Sequence, residues 1–114
     1  MVFLNFCEIY QLKKISADCC LKIKATEEAF GGWSASKNIY IFTKSGTENN
    51  RSKWVNNDMG YVIFYNSENK WAFGNQWKTW NGYSSTDIDI ECPYIVENWT
   101  KQGGMTISNV ECLK

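Results

Sequence analysis

Gly60-Tyr61-Val62-Ile63-Phe64-Tyr65-Asn66-Ser67-Glu68-Asn69-Lys70-Trp71-Ala72-Phe73-Gly74 decides the fold class of this chain. Two short runs of aromatic and β-branched residues flank a polar segment rich in turn formers. That pattern predicts a β-hairpin over residues 61–74, turning at Asn66-Ser67-Glu68-Asn69. Outward from it the texture stays β. Cys20-Leu21-Lys22-Ile23-Lys24 alternates apolar and charged residues, as a half-buried strand does. Asn38 to Thr43 is rich in β-branched and aromatic side chains. Asp87-Ile88-Asp89-Ile90-Glu91 alternates without a fault and is read as a strand with isoleucines in and carboxylates out, ended by Pro93. Thr106 to Cys112 is the last strand, its apolar side supplied by Ile107, Val110 and Cys112, with an irregularity near Asn109. Gly31-Gly32, Gly46, Gly82 and Gly103-Gly104 mark turns. Ala25 to Phe30 fits a single helical turn. Short strands at roughly ten-residue spacing predict an all-β fold, a small antiparallel sandwich or barrel. Residues 1–18 differ in texture and are read as a leader or packing arm, leaving 19–114 as one β domain. Apolar Met1 to Phe6 is interrupted by Glu8, and Lys13-Lys14 lie on the wrong side for a secretory signal.

Composition narrows the chemistry. The 114 residues carry 12 Lys+Arg, 12 Asp+Glu and no histidine. Balanced charge argues against a nucleic-acid partner, which needs a basic face against phosphates. The absence of histidine removes the commonest general base, the commonest metal ligand and every His-dependent triad. No run of apolar residues approaches the length of a membrane span. The expectation is a non-enzymatic protein with no cofactor and no metal.

Five cysteines stand at Cys7, Cys19, Cys20, Cys92 and Cys112. None falls in C-x-x-C spacing, and a zinc site without histidine would need four scattered thiolates. Neighbours in a strand point to opposite faces, so Cys19 and Cys20 each reach a separate partner. Cys92 and Cys112 are the natural partners; which pairs with which stays open, and Cys7 is odd. Two disulfides would staple the start of the domain to its end and place it outside the cell. The alternatives are five reduced thiols or a thiolate metal cluster. Two glycosylation sequons, Asn50-Arg51-Ser52 and Asn98-Trp99-Thr100, point the same way as the disulfides.

The ordered signposts Cys19-Cys20, Asn50-Arg51-Ser52-Lys53-Trp54, Gly60 to Tyr65, Trp71-Ala72-Phe73-Gly74, Cys92-Pro93, Trp99 and Ile107 to Cys112 span nearly the whole chain. Together they resemble a small cysteine-framed β module that recurs, singly or in tandem, in secreted and ectodomain proteins of invertebrates and other eukaryotes. In place of that family's Gly-Arg-Pro-type turn this chain has Arg51-Ser52-Lys53 before Trp54. The resemblance implies an extracellular, disulfide-framed recognition or structural module, and no activity.

Two constellations invite a function. Asp87, Asp89 and Glu91 on one strand face would stand about 7 Å apart, too spread for a calcium loop. A hydrolase built on them would need a second acid across a cleft, which nothing designates; a solvated edge face is the plainer reading. The segment holding Trp77, Trp80 and Tyr83, threaded with Asn75 and Asn81 and bracketed by Gly74 and Gly82, is the candidate binding loop. Sugar rings stack on exposed aromatic faces while amides hold their hydroxyls. The same composition suits base stacking, but the basic groove is missing. Trp71, on its strand, is expected in the core. The expected function is therefore an extracellular module binding glycan or protein through the aromatic loop. The alternative is a self-assembling subunit of a secreted or surface polymer. There residues 1–18 dock on a neighbour's open sheet edge, and Cys7 locks the homo-oligomer.

Overall fold

A computed structural model describes residues 19–29, 36–77 and 81–113. The leader 1–18, Cys7 and Trp80 lie outside these described residues. Eight strands run as β1 (Lys22–Ala29), β2 (Lys37–Glu48), β3 (Arg51–Asn56), β4 (Tyr61–Tyr65), β5 (Trp71–Asn75), β6 (Asn81–Ser84), β7 (Lys101–Gln102) and β8 (Met105–Leu113). A 3-10 turn, Pro93–Ile95, is the one helical element among the described residues. The strands form a single antiparallel sheet in the order β6-β5-β4-β3-β2-β1-β8-β7. Its two ends meet. Thr100 N donates to Ser84 O (2.8 Å), Thr86 N to Asn98 O (3.1 Å) and Ser84 N to the Thr100 hydroxyl (2.9 Å). The sheet is thus a nearly closed barrel, and closure removes the exposed edges an open sheet would offer.

The expected hairpin forms over residues 61–74. β4 pairs with β5 from Tyr61↔Asn75 to Tyr65↔Trp71. Asn66 holds the turn: its side-chain oxygen accepts from Glu68 N (2.9 Å) and Lys70 N (3.0 Å), and Asn69 takes a left-handed φ of 62°. Asparagine tolerates that conformation because its short polar side chain bonds locally. The continuous apolar run of β4 has a packing cause. Ile63 and Tyr65 enter the barrel core, while Val62 and Phe64 join Ala72 in a second buried cluster with Val55 against it. Strands buried on both faces lose the polar alternation.

The core is built from Ile23, Phe42, Trp54, Ile63, Trp71, Phe73 and their neighbours. Trp71 is 1% exposed, as its strand position implied. Buried indoles need a partner for their N–H. Trp54 Nε1 donates to Cys20 O and Trp71 Nε1 to Ile90 O, both at 2.8 Å. The irregular spacing of Ile107 and Val110 also has a cause. Opposite β1 the register jumps between Thr26↔Asn109 and Glu27↔Ile107, leaving Ser108 as a bulge. The extra residue lets side chains three apart both turn inward. The Ser108 hydroxyl donates to the Glu28 carboxylate at 2.7 Å.

Two local expectations are corrected. Ala25 to Phe30 is not a helical turn; residues through Ala29 belong to β1, paired with β2 on one side and β8 on the other. Asp87 to Glu91 is not a strand. Asp89 has φ 60°, Ile88 is 54% exposed rather than inward, and the segment has no ladder partner. It is fixed instead by scattered bonds: Asp89 N donates to Asn69 O at 3.0 Å, and its later carbonyls are held by side chains. Arg51 donates to Ile90 O (3.1 Å) and Glu91 O (3.2 Å), and the Trp71 indole takes Ile90 O as well.

The two ends of the barrel differ. One is stapled by Cys19–Cys92 and Cys20–Cys112, which close sequence separations of 73 and 92 residues. Bridging separations that long removes much chain entropy from the unfolded state on the loop-closure account. At the opposite end β1, β3, β5 and β7 finish and β2, β4, β6 and β8 begin. This mouth holds the side chains of interest.

Candidate functional site

Trp77 leaves β5 in the connection to β6, and the residue is 70% exposed. It is nonetheless held. Gly60 lies beneath it: a β-carbon at Gly60 would stand 3.2 and 3.3 Å from Trp77 Cζ3 and Cη2, and 3.1 Å from Gln76 Nε2. Gly60 also has φ +71°, and its carbonyl accepts from Gln76 N at 2.8 Å. Only glycine meets both demands, left-handed backbone and close approach of an aromatic ring. The result is an indole with its lower side against the backbone and most of its surface in solvent. Gln76, the preceding residue, is exposed, as are Asn57 and Asp58 in the β3–β4 turn that ends at Gly60.

The candidate loop does not act as one patch. Asn75 is half-buried at the end of β5, paired with Tyr61. Tyr83 is 5% exposed and turned into the barrel, with its ring packed on Phe73 at 6.2 Å. As an exposed stacking face it is corrected to an interior residue, because alternation on β6 aims it opposite to Gly82 and Ser84. Asn81 opens β6 across from Gly74. Trp80 lies outside the described residues. Trp99, 7% exposed, is a core residue whose ring meets Phe73 at 4.9 Å.

Sequence reasoning missed the mouth of the barrel. Glu27 follows Ile23 and Ala25 at strand spacing, so its carboxyl group projects inward. One oxygen accepts from the Tyr40 hydroxyl and the Asn38 amide, each at 3.1 Å, and the other accepts from the Tyr83 hydroxyl. Glu27, Tyr40, Tyr61, Phe73, Tyr83 and Ile107 enclose a cavity of about 80 Å³. Burial first, and then the Glu27 carboxylate, push the Tyr40 phenol up to about 12. Burial and the hydrogen bond to Glu27 likewise hold Tyr83 well above its ordinary value. The signal was present as the two-residue alternation Ile23-Ala25-Glu27, masked by reading Ala25 to Phe30 as a turn of helix.

A second recess, of about 260 Å³, lies where β5, β6 and β7 approach, lined by the polar side chains of Asn66, Glu68, Ser84, Thr100 and Gln102. At the stapled end, the Arg51 guanidinium sits 4.1 Å over the Tyr65 ring, whose hydroxyl donates to Asp89 at 3.2 Å. Asn50 is exposed at the tip of the β2–β3 hairpin, where Asn49 and Asn50 have φ 52° and 65°. Asn98 is exposed beside the barrel closure. Among the described residues no group of three or more Cys, Asp or Glu is placed to hold a metal ion, and no helix is long and apolar enough to cross a membrane. Two disulfides fit an oxidising compartment. Compared with protein-family models, curated proteins and solved structures, the chain finds no match in any of the three.

Proposed function

We propose that this chain is a secreted, non-enzymatic recognition module that binds carbohydrate through Trp77. The observation that carries the reading is Trp77, a residue 70% exposed with its indole braced on Gly60. A large apolar surface in water costs free energy unless a ligand covers it, and a ring already held in place loses little entropy on binding. Sugar C–H faces stack on such rings, and neighbouring amides hold the hydroxyls; Gln76, the preceding residue, is of that type. The two disulfides and the exposed sequon residues Asn50 and Asn98 support an extracellular setting. Screening the oxidised protein on a glycan array, then titrating each hit by indole N–H resonances, tests the reading. One exposed indole signal should move with saturable dependence on glycan. An array without hits counts against it.

A further inference from the structure

The cavity at the barrel mouth combines three features. Its walls are aromatic: Tyr40 stands edge-on to Tyr61 at 80° with centroids 5.3 Å apart, and Phe73 stands edge-on to Tyr83 at 85°. All four rings line the same small volume. Its charge is negative: Glu27 has no Lys or Arg partner among the described residues. Its hydrogen-bonding capacity is largely used. A carboxylate offers about four acceptor sites, and Tyr40, Asn38 and Tyr83 already take three.

These features select a ligand class. Among the described lining residues an anion would meet a carboxylate and no cationic donor. A primary ammonium needs several acceptors at once, and Glu27 has little capacity left. A methylated ammonium donates no hydrogen bonds; it asks only for aromatic faces and a nearby negative charge. A small, partly open aromatic cavity suits a head group of that kind. We propose that the barrel mouth is an aromatic cage for a quaternary ammonium group of the choline type, with Glu27 as its counter-charge. The cage uses no contact with Trp77 and stands whether or not carbohydrate binds there.

Four probes test it on the full oxidised chain: choline, ethanolamine, the neutral choline isostere 3,3-dimethylbutan-1-ol, and vesicles of phosphatidylcholine against phosphatidylglycerol. By calorimetry or NMR titration, choline should bind about tenfold or more tighter than the neutral isostere, with ethanolamine weaker than choline. Glu27→Gln and Tyr61→Leu should each weaken choline binding by about tenfold, with thermal melts confirming that each variant is folded. If either variant does not fold, the order of the small probes on the wild-type chain decides alone. Preference for phosphatidylcholine vesicles assigns a lipid head group, and binding of free choline alone assigns a free cation. Equal binding of choline and its neutral isostere, or no binding of choline in either form, overturns the proposal.

Discussion

The Tyr83 hydroxyl donates its hydrogen to the Glu27 carboxylate, joining β6 to β1 across the barrel interior. These strands are not neighbours in the sheet, so the bond acts as a brace across the mouth. Tyr40 adds a second tie from β2.

That brace has a consequence at high pH. Unfolded phenols ionise near pH 10, whereas burial and the Glu27 charge push Tyr40 up to about 12. Between those values the native state holds more protons than the unfolded state. Stability is therefore full below about pH 10 and falls as pH rises toward 12. Denaturant melts across this window should show a declining midpoint, with a smaller decline in Tyr40→Phe. Glu27→Gln should lower the pH at which Tyr40 ionises. A midpoint unchanged from pH 9 to about 11 would contradict the assignment.

Arg51 fixes the segment that replaces the expected strand at 87–91. One of its nitrogens holds the carbonyls of Ile90 and Glu91, and its plane covers Tyr65. Lysine keeps the charge but not the planar fork. Arg51→Lys should cost about 1–3 kcal/mol in denaturant unfolding and speed amide exchange over residues 88–91. Unchanged exchange there would show that Arg51 is not the anchor.

The contrast between residues 61–74 and 87–91 shows what sequence alone can carry. The hairpin was legible because strand propensity and a turn with its own local hydrogen bonds agree within one short stretch. Asp87 to Glu91 alternates as cleanly, yet alternation records only which side chains prefer water. It does not record whether a partner strand exists, and here the neighbour is a guanidinium from 40 positions earlier in the chain. Trp71 was legible as core from its strand position. Tyr83 was not, because a short strand after a loop gives no register from which to tell inside from outside. Glu27 was hidden for a related reason: a carboxylate on an inward position is read as solvated unless its distant phenol partners are known.

Gly60 carries a different test. Its φ of +71° and its contact with Trp77 both exclude a β-carbon. Gly60→Ala should destabilise by about 1–2 kcal/mol and displace the Trp77 ring, shifting its indole N–H resonance. An alanine variant with wild-type stability and an unmoved indole signal would mean that the ring does not rest on this turn.

The most direct test of the recognition reading separates Trp77's role in binding from its role in stability. The best glycan hit is titrated against the wild type, Trp77→Phe and Trp77→Ala, with melts on each. Trp77→Ala should lose about thirtyfold in affinity while its stability stays within about 0.5 kcal/mol, since the side chain is mostly in solvent. Trp77→Phe should fall between. Equal affinity in the wild type and Trp77→Ala would contradict the account.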